Sequence, residues 1–195
     1  MRIAAMVSGG GTNLQAVIDA VGNGGLPGAS LVLVISSNAS AFALERAARH
    51  GIPTLVAGRR EFPGQEARTE AILGALAAAG TDLVVLAGYM SILPPEIIRA
   101  YDKRIINIHP SLIPRHCGLG CYGRRVHEAV LAAGDKESGA TVHFVDEGVD
   151  TGPVIIQEKT AVLEGDDPDS LAARVLEVEH RILVRAVKMI MDGEY

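Results

Sequence analysis

Runs that are apolar at nearly every position, not at alternate ones, recur through the first half of the chain, and each is followed by a segment with helical spacing. A strand with one wet face alternates polar and apolar residues, whereas a strand covered on both faces does not. Residues 2–7, 30–36, 53–57, 82–87 and 104–108 read as strands of the covered kind. Residues 13–21, 41–50, 65–79 and 95–101 read as the helices between them. Such strand–helix repeats predict a doubly wound, mostly parallel α/β sheet. After Pro114 the pattern changes. Residues 118–123 are a glycine-rich loop, 126–133 a helix, and 139–145 and 154–162 strands that extend the sheet with mixed direction. The last helix is expected over 168–191, with Asp166 or Asp167 as its cap and Pro168 in a favoured early position. No linker, repeat or low-complexity stretch interrupts the 195 residues, so a single domain, 1–195, is expected.

Composition narrows the function. Hydrophobic residues make up 48% of the chain and aromatics only 4%, with no Trp, as suits a core of branched aliphatics. A formal charge of −5 argues against a general nucleic-acid binder. No apolar stretch approaches the ~20 residues of a membrane span. The N-terminal apolar run is too short for a secretory signal, so a cytoplasmic protein is expected. The two cysteines, Cys117 and Cys121, are then expected as free thiols, and their spacing matches no standard structural-zinc pattern. No metal site is expected.

Three segments carry candidate chemistry. The first is Asn107-Ile108-His109-Pro110-Ser111-Leu112-Ile113-Pro114, directly after an apolar strand. Strand periodicity puts Asn107 and His109 on one side, an amide donor beside a titratable ring, and Pro110 and Pro114 stiffen the exit. The second is Gly9-Gly10-Gly11-Thr12-Asn13, between the first strand and first helix. Glycines allow close approach of a ligand, and the helix start offers free N–H groups, as a monophosphate cradle requires. It lacks the lysine of a nucleoside-triphosphate loop, and Leu14 stands where a dinucleotide fingerprint needs glycine. The third is Met90-Ser91-Ile92-Leu93, leaving the sheet at a carboxyl edge, with backbone donors and an apolar wall for a flat heterocycle. Asp150, before Thr151-Gly152-Pro153, reads on composition as a turn former. His143, between apolar neighbours in a strand, reads as a core histidine, and the role of His127 is open.

These motifs, with Leu86-Ala87-Gly88-Tyr89 before the third and the stretch from Val142-His143-Phe144-Val145 to Asp150-Thr151-Gly152-Pro153-Val154-Ile155, resemble the folate-dependent phosphoribosylglycinamide formyltransferases almost end to end. The resemblance implies a single-domain formyltransferase fold, with 1–100 as the phosphate and ribonucleotide half and 101–195 as the catalytic and folate half. It implies Asn107, His109 and Asp150 as catalytic residues, with Asp150 as the histidine's partner. Gly11, Thr12, Asn13 and Glu179 would bind the ribonucleotide. Gln65, Met90, Ser91, Ile92, Leu93, Asn107, Asp146, Glu147, Gly148, Val149 and Asp150 would bind the folate. The substrates would be glycinamide ribonucleotide and 10-formyltetrahydrofolate, used in purine synthesis without a metal, with no nucleic-acid or membrane partner. Monomer and homodimer both stay open. Departures also stand out. Gln65 and Ser91 fall where relatives carry arginine, Arg68 could substitute one turn on, and the 115–125 loop is longer than usual.

On this reading an acceptor amine attacks the formyl carbon, Asn107 and a protonated His109 donate to the developing oxyanion, and Asp150 keeps the ring charged and is available to hold a water. Ser111 sits in a proline-bracketed turn with no nucleophile elbow and is not expected to attack. A formyltetrahydrofolate deformylase would use the same three residues, but such relatives usually carry an extra N-terminal domain. A methionyl-tRNA formyltransferase would bring a C-terminal domain and a basic surface. A non-catalytic phosphate-binding module would keep the 9–13 turn and need no Asn107–His109 pair.

Overall fold

A computed structural model describes residues 1–195. Its strands are β1 (Arg2–Val7), β2 (Ser30–Ser36), β3 (Thr54–Val56), β4 (Leu83–Leu86), β5 (Ile105–His109), β6 (Glu137–Phe144) and β7 (Val154–Ala161). Its helices are α1 (Thr12–Gly22), α2 (Phe42–Arg49), α3 (Gln65–Ala78), α4 (Pro95–Ala100), α5 (Arg124–Ala132) and α6 (Pro168–Asp192). The fold is α/β, with one seven-stranded sheet in the order β3-β2-β1-β4-β5-β6-β7. It is mostly parallel with an antiparallel pair at its C-terminal end. The chain forms two compact units, 1–106 and 107–195, that divide inside β5.

In the first unit β1 pairs with β2 on one side and β4 on the other, and β2 pairs with β3, all parallel. Every residue of β4, and every residue of β1 after Arg2, is buried, as continuous Val, Ile, Leu, Met and Ala runs require when helices cover both faces. Strand order reverses between β1 and β4. The carboxyl ends there form a topological switch point, the place where open α/β sheets take ligands. The turn after β1 and the loop after β4 both start at this point.

In the second unit β6 and β7 are antiparallel, and the register slips between Val142 and His143. Helix α6 lies over both strands and buries Leu171, Val175, Val178, Ile182, Leu183, Ala186 and Val187, the three-to-four spacing of one helical face. Asp167 is its cap, accepting from Asp169 N (3.0 Å) and Ser170 N (2.8 Å), while Ser170 Oγ accepts from Asp167 N (3.0 Å). Asp166 does other work: it binds Arg174 at 2.7 and 2.9 Å. Strand β6 starts at Glu137, before the expected Gly139, and glycine is needed at 139 because a Cβ there would meet the Glu158 carbonyl oxygen at 2.1 Å. No helix is long and apolar enough to cross a membrane.

Candidate active site

Strand β5 ends on Asn107 and His109, half-buried and 4% exposed respectively. The chain then leaves through a buried Ser111, whose hydroxyl donates to the Arg115 carbonyl at 2.6 Å. Thr141 Oγ1 in turn donates to the Ser111 carbonyl at 2.6 Å. The Ser111 hydroxyl is thus tied into the turn and is no nucleophile. Asp150 arrives from the connection between β6 and β7. That connection closes tightly: Asp146 Oδ1 accepts from Gly148 N (3.1 Å) and Thr151 Oγ1 (2.7 Å). A Cβ at Gly152 would meet the Phe144 carbonyl oxygen at 1.9 Å. Asp150 itself is held at φ 58, the left-handed region.

Three sequence-predicted residues therefore meet. Asp150 Oδ2 lies 3.6 Å from His109 Nδ1, and Asp150 Oδ1 lies 3.4 Å from Asn107 Nδ2. A backbone donor completes the set, Gly118 N to Asp150 Oδ2 at 2.9 Å. Burial pushes the Asp150 carboxyl up, but His143, the Gly118 N–H and the charge on His109 together outweigh it, and its pKa lies below the usual carboxylate value.

A fourth neighbour is His143, a satisfied buried histidine as its apolar neighbours predict, and it also touches the site. It is buried, and its Nε2 lies 3.2 Å from Asn107 Nδ2 and 3.6 Å from Asp150 Oδ1. Its Nδ1 is 2.7 Å from the Phe144 carbonyl oxygen, a contact that needs an N–H. In the neutral ring Nε2 then carries the lone pair and accepts from the Asn107 amide. The register slip beside it leaves Ile155 of β7 as the extra residue, while β6 runs on through His143.

The environment of His109 departs from expectation. Its ring sits between two acceptors, the His116 carbonyl oxygen 3.0 Å from Nε2 and Asp150 beyond Nδ1. Asp150 does favour the imidazolium, as does the His116 carbonyl. Burial is the larger effect, with His143 adding to it, and the net pKa lies below the ordinary histidine value. Desolvation thus outweighs the rise that Asp150 and the His116 carbonyl would bring. His127, on α5, is also buried, its Nδ1 has no hydrogen-bond partner, and burial followed by the His109 charge lowers its pKa.

The loop over these groups is anchored at its root. Asp135 binds His116 Nε2 at 2.7 Å and also pairs with Arg115. Cys117 and Cys121 are free and partly exposed. Glu147 and Val149 sit with Gly148 in the turn that presents Asp150. Glu179 on α6 is only 8% exposed, so it is no solvent-facing helix carboxylate. No group of three or more His, Cys, Asp or Glu side chains is placed to hold a metal ion.

In the first unit Gly11 (φ 72, ψ 33) is the N-cap of α1, with Thr12 half-exposed and Asn13 buried behind it. Ser8 Oγ, just before the glycines, accepts from Met90 N at 2.8 Å and ties this turn to the loop after β4. The Met90 N–H is therefore already engaged. The Met90 side chain is exposed and that of Ile92 is 71% exposed, while Leu93 is buried and belongs to the core. Ser91 hydrogen-bonds Tyr89. Gln65 is exposed at the first turn of α3, and Arg68, one turn on, lies near enough to Tyr89 to act on it by charge.

A family model described as formyl transferase matches residues 1–187. The phosphoribosylglycinamide formyltransferase of Haemophilus influenzae is 41% identical over 98% of this chain, which covers 88% of that protein. The chain belongs to the phosphoribosylglycinamide formyltransferase family. Among solved structures, glycinamide ribonucleotide transformylase 1 from Symbiobacterium toebii superposes with a TM-score of 0.92 at 42% identity, covering 99% of this chain and 88% of that one. The chain is also 44% identical to part of the trifunctional purine biosynthetic protein adenosine-3 of Drosophila melanogaster, matching over 98% of its own length but only 14% of that protein's.

Proposed function

We propose that this chain transfers the formyl group of 10-formyltetrahydrofolate to the amine of glycinamide ribonucleotide, a step of purine synthesis in the cytoplasm. The observation that carries it is the convergence of Asn107, His109 and His143 on one half-buried carboxylate, Asp150, in a chain of this family. The 1–100 half serves the ribonucleotide phosphate through Gly11, Thr12 and Asn13, and Glu179 serves the ribose. Gln65, Met90, Ser91, Ile92 and Leu93, with Asp146, Glu147, Gly148 and Val149, serve the folate. The 101–195 half supplies the chemistry.

The amine nitrogen attacks the formyl carbon, a new C–N bond forms, and the carbonyl electrons move onto oxygen. Asn107 meets that oxyanion with the hydrogen it otherwise gives Asp150 across 3.4 Å, its weakest contact. The other hydrogen stays on His143, which holds the amide plane. With its pKa held down by burial, His109 can take the proton that the amine releases. Asp150 then stabilises the imidazolium, and the ring returns the proton to the donor nitrogen as the C–N bond to folate breaks. Atoms and charge balance without redox chemistry.

Incubating the protein with 10-formyltetrahydrofolate, with and without glycinamide ribonucleotide, tests this. Loss of formyl only in the presence of the amine is the expected result. Loss without it makes the protein a deformylase, and no loss in either case leaves a binding module. Asn107→Ala should lower kcat by roughly 10²–10³-fold, as removal of an oxyanion donor does, with little change in KM. A variant with near-native turnover would remove Asn107 from the reaction.

A further inference from the structure

Two carbonyls of the glycine-rich turn are drawn onto helix α2. The Ala43 N–H donates to the Gly9 carbonyl at 3.1 Å. Arg46 Nε donates to the Gly10 carbonyl at 2.8 Å. In a planar trans peptide the C=O of one residue and the N–H of the next point in opposite directions. The N–H groups of Gly10 and Gly11 are therefore turned away from α2. Gly11 follows in the left-handed region and caps α1, and successive N–H groups in that setting make an anion-binding concavity that the helix start continues. Gly11 has no room to retreat: a Cβ there would lie 2.6 Å from the Ala43 Cβ.

Arg46 does more than touch Gly10. Its Nη1 donates to Gln15 Oε1 on α1 at 3.1 Å, and its guanidinium lies 5.0 Å from the centroid of the Phe42 ring. One planar fork thus joins the turn, α1 and α2, with an aromatic face limiting its rotation. We propose that Arg46 is a positioning residue for the acceptor's phosphate: it locks the Gly10–Gly11 peptide with its N–H toward the anion and sets a full positive charge beside the turn. This rests on the reading of the 9–13 turn as the phosphate site. The Ala43 bond is made by backbone, so Arg46 is the part of the strap that substitution can remove.

The test uses the full chain labelled with 15N and titrated with inorganic phosphate, followed by steady-state kinetics. In the wild type the Gly10 and Gly11 amide signals should move with phosphate. In Arg46→Gln the same signals should need about tenfold more phosphate, as expected for loss of a charge-assisted contact. KM for the phosphate-bearing acceptor should rise by a similar factor, with kcat and the KM for the folate donor within about twofold. Arg46→Lys, which keeps the charge and loses the fork, should recover part of the loss. If wild-type Gly10 and Gly11 ignore phosphate, the phosphate reading fails and this proposal with it. If they respond but Arg46→Gln titrates like wild type, the turn remains a phosphate site and Arg46 has no part in it. Complete recovery by Arg46→Lys would reduce Arg46 to a charge and overturn the positioning role.

Discussion

Asp150 sits at φ 58, a conformation uncommon for a residue with a side chain but one that Asp and Asn tolerate better than most. The Gly118 N–H, Asn107 and two histidines hold its carboxylate there, so replacement by Asn keeps the backbone and removes only charge. Asp150→Asn should lower the His109 pKa further, because burial would then act with less opposition. Titration of the ring by NMR checks this, and an unmoved midpoint excludes the coupling. His143→Phe removes the acceptor that holds the Asn107 amide, and kcat should fall about tenfold with KM nearly constant. A KM effect alone would give His143 a binding role instead. Asn107 and His109 were legible because a strand's period of two needs no tertiary information. The burial of His143 was legible in its apolar neighbours; its contacts with Asn107 and Asp150 were not, because they join residues far apart in the chain that meet only in the fold.

The connection between β6 and β7 shows how an element positions chemistry. Gly152 lets it pass against the Phe144 carbonyl, and Asp146 closes it from within. Sequence reasoning gave Asp146 to the folate, and its carboxylate in this structure is bound to its own turn. Gly152→Ala should therefore depress kcat through Asp150 even where the protein still folds, with circular dichroism reporting the fold and turnover the site. On α6, Ile182 is fully buried over the β6–β7 pair, and Ile182→Ala should cost about 2–5 kcal/mol in chemical denaturation. A loss below ~1 kcal/mol would mean that this face repacks. Most elements were legible because apolar runs without alternation admit few folds. Their ends were less so: β6 starts at Glu137, before the expected Gly139, and only the pairing with β7 shows why a missing Cβ is needed at 139.

For the molecule as a whole, acid should act in two stages. His109 and His127 both lie below the ordinary histidine value of 6.5 because they are buried. As pH falls below that value the unfolded chain binds protons that the folded chain refuses, so stability declines. Asp150, Asp135 and Glu158 lie below their ordinary values. Their contribution persists above the unfolded carboxylate range and is lost only as pH falls through the folded values. Denaturant midpoints should drop between pH 7 and about 5.5, and drop again in stronger acid. The double variant His109→Gln/His127→Gln should flatten the first stage, and an unchanged slope would place its origin elsewhere.

The loop after Pro114 meets His109 and Asp150 through main-chain atoms, the His116 carbonyl on His109 and the Gly118 N–H on Asp150. Every amino acid carries that carbonyl, and every one but proline carries that N–H. Side chains still matter at these two positions through the backbone they permit: Gly118 sits at φ 90 and His116 at φ 51, and the His116 ring is held by Asp135, while inserting or deleting a residue nearby changes which atoms arrive. Divergence along this stretch is filtered by length and by backbone conformation together.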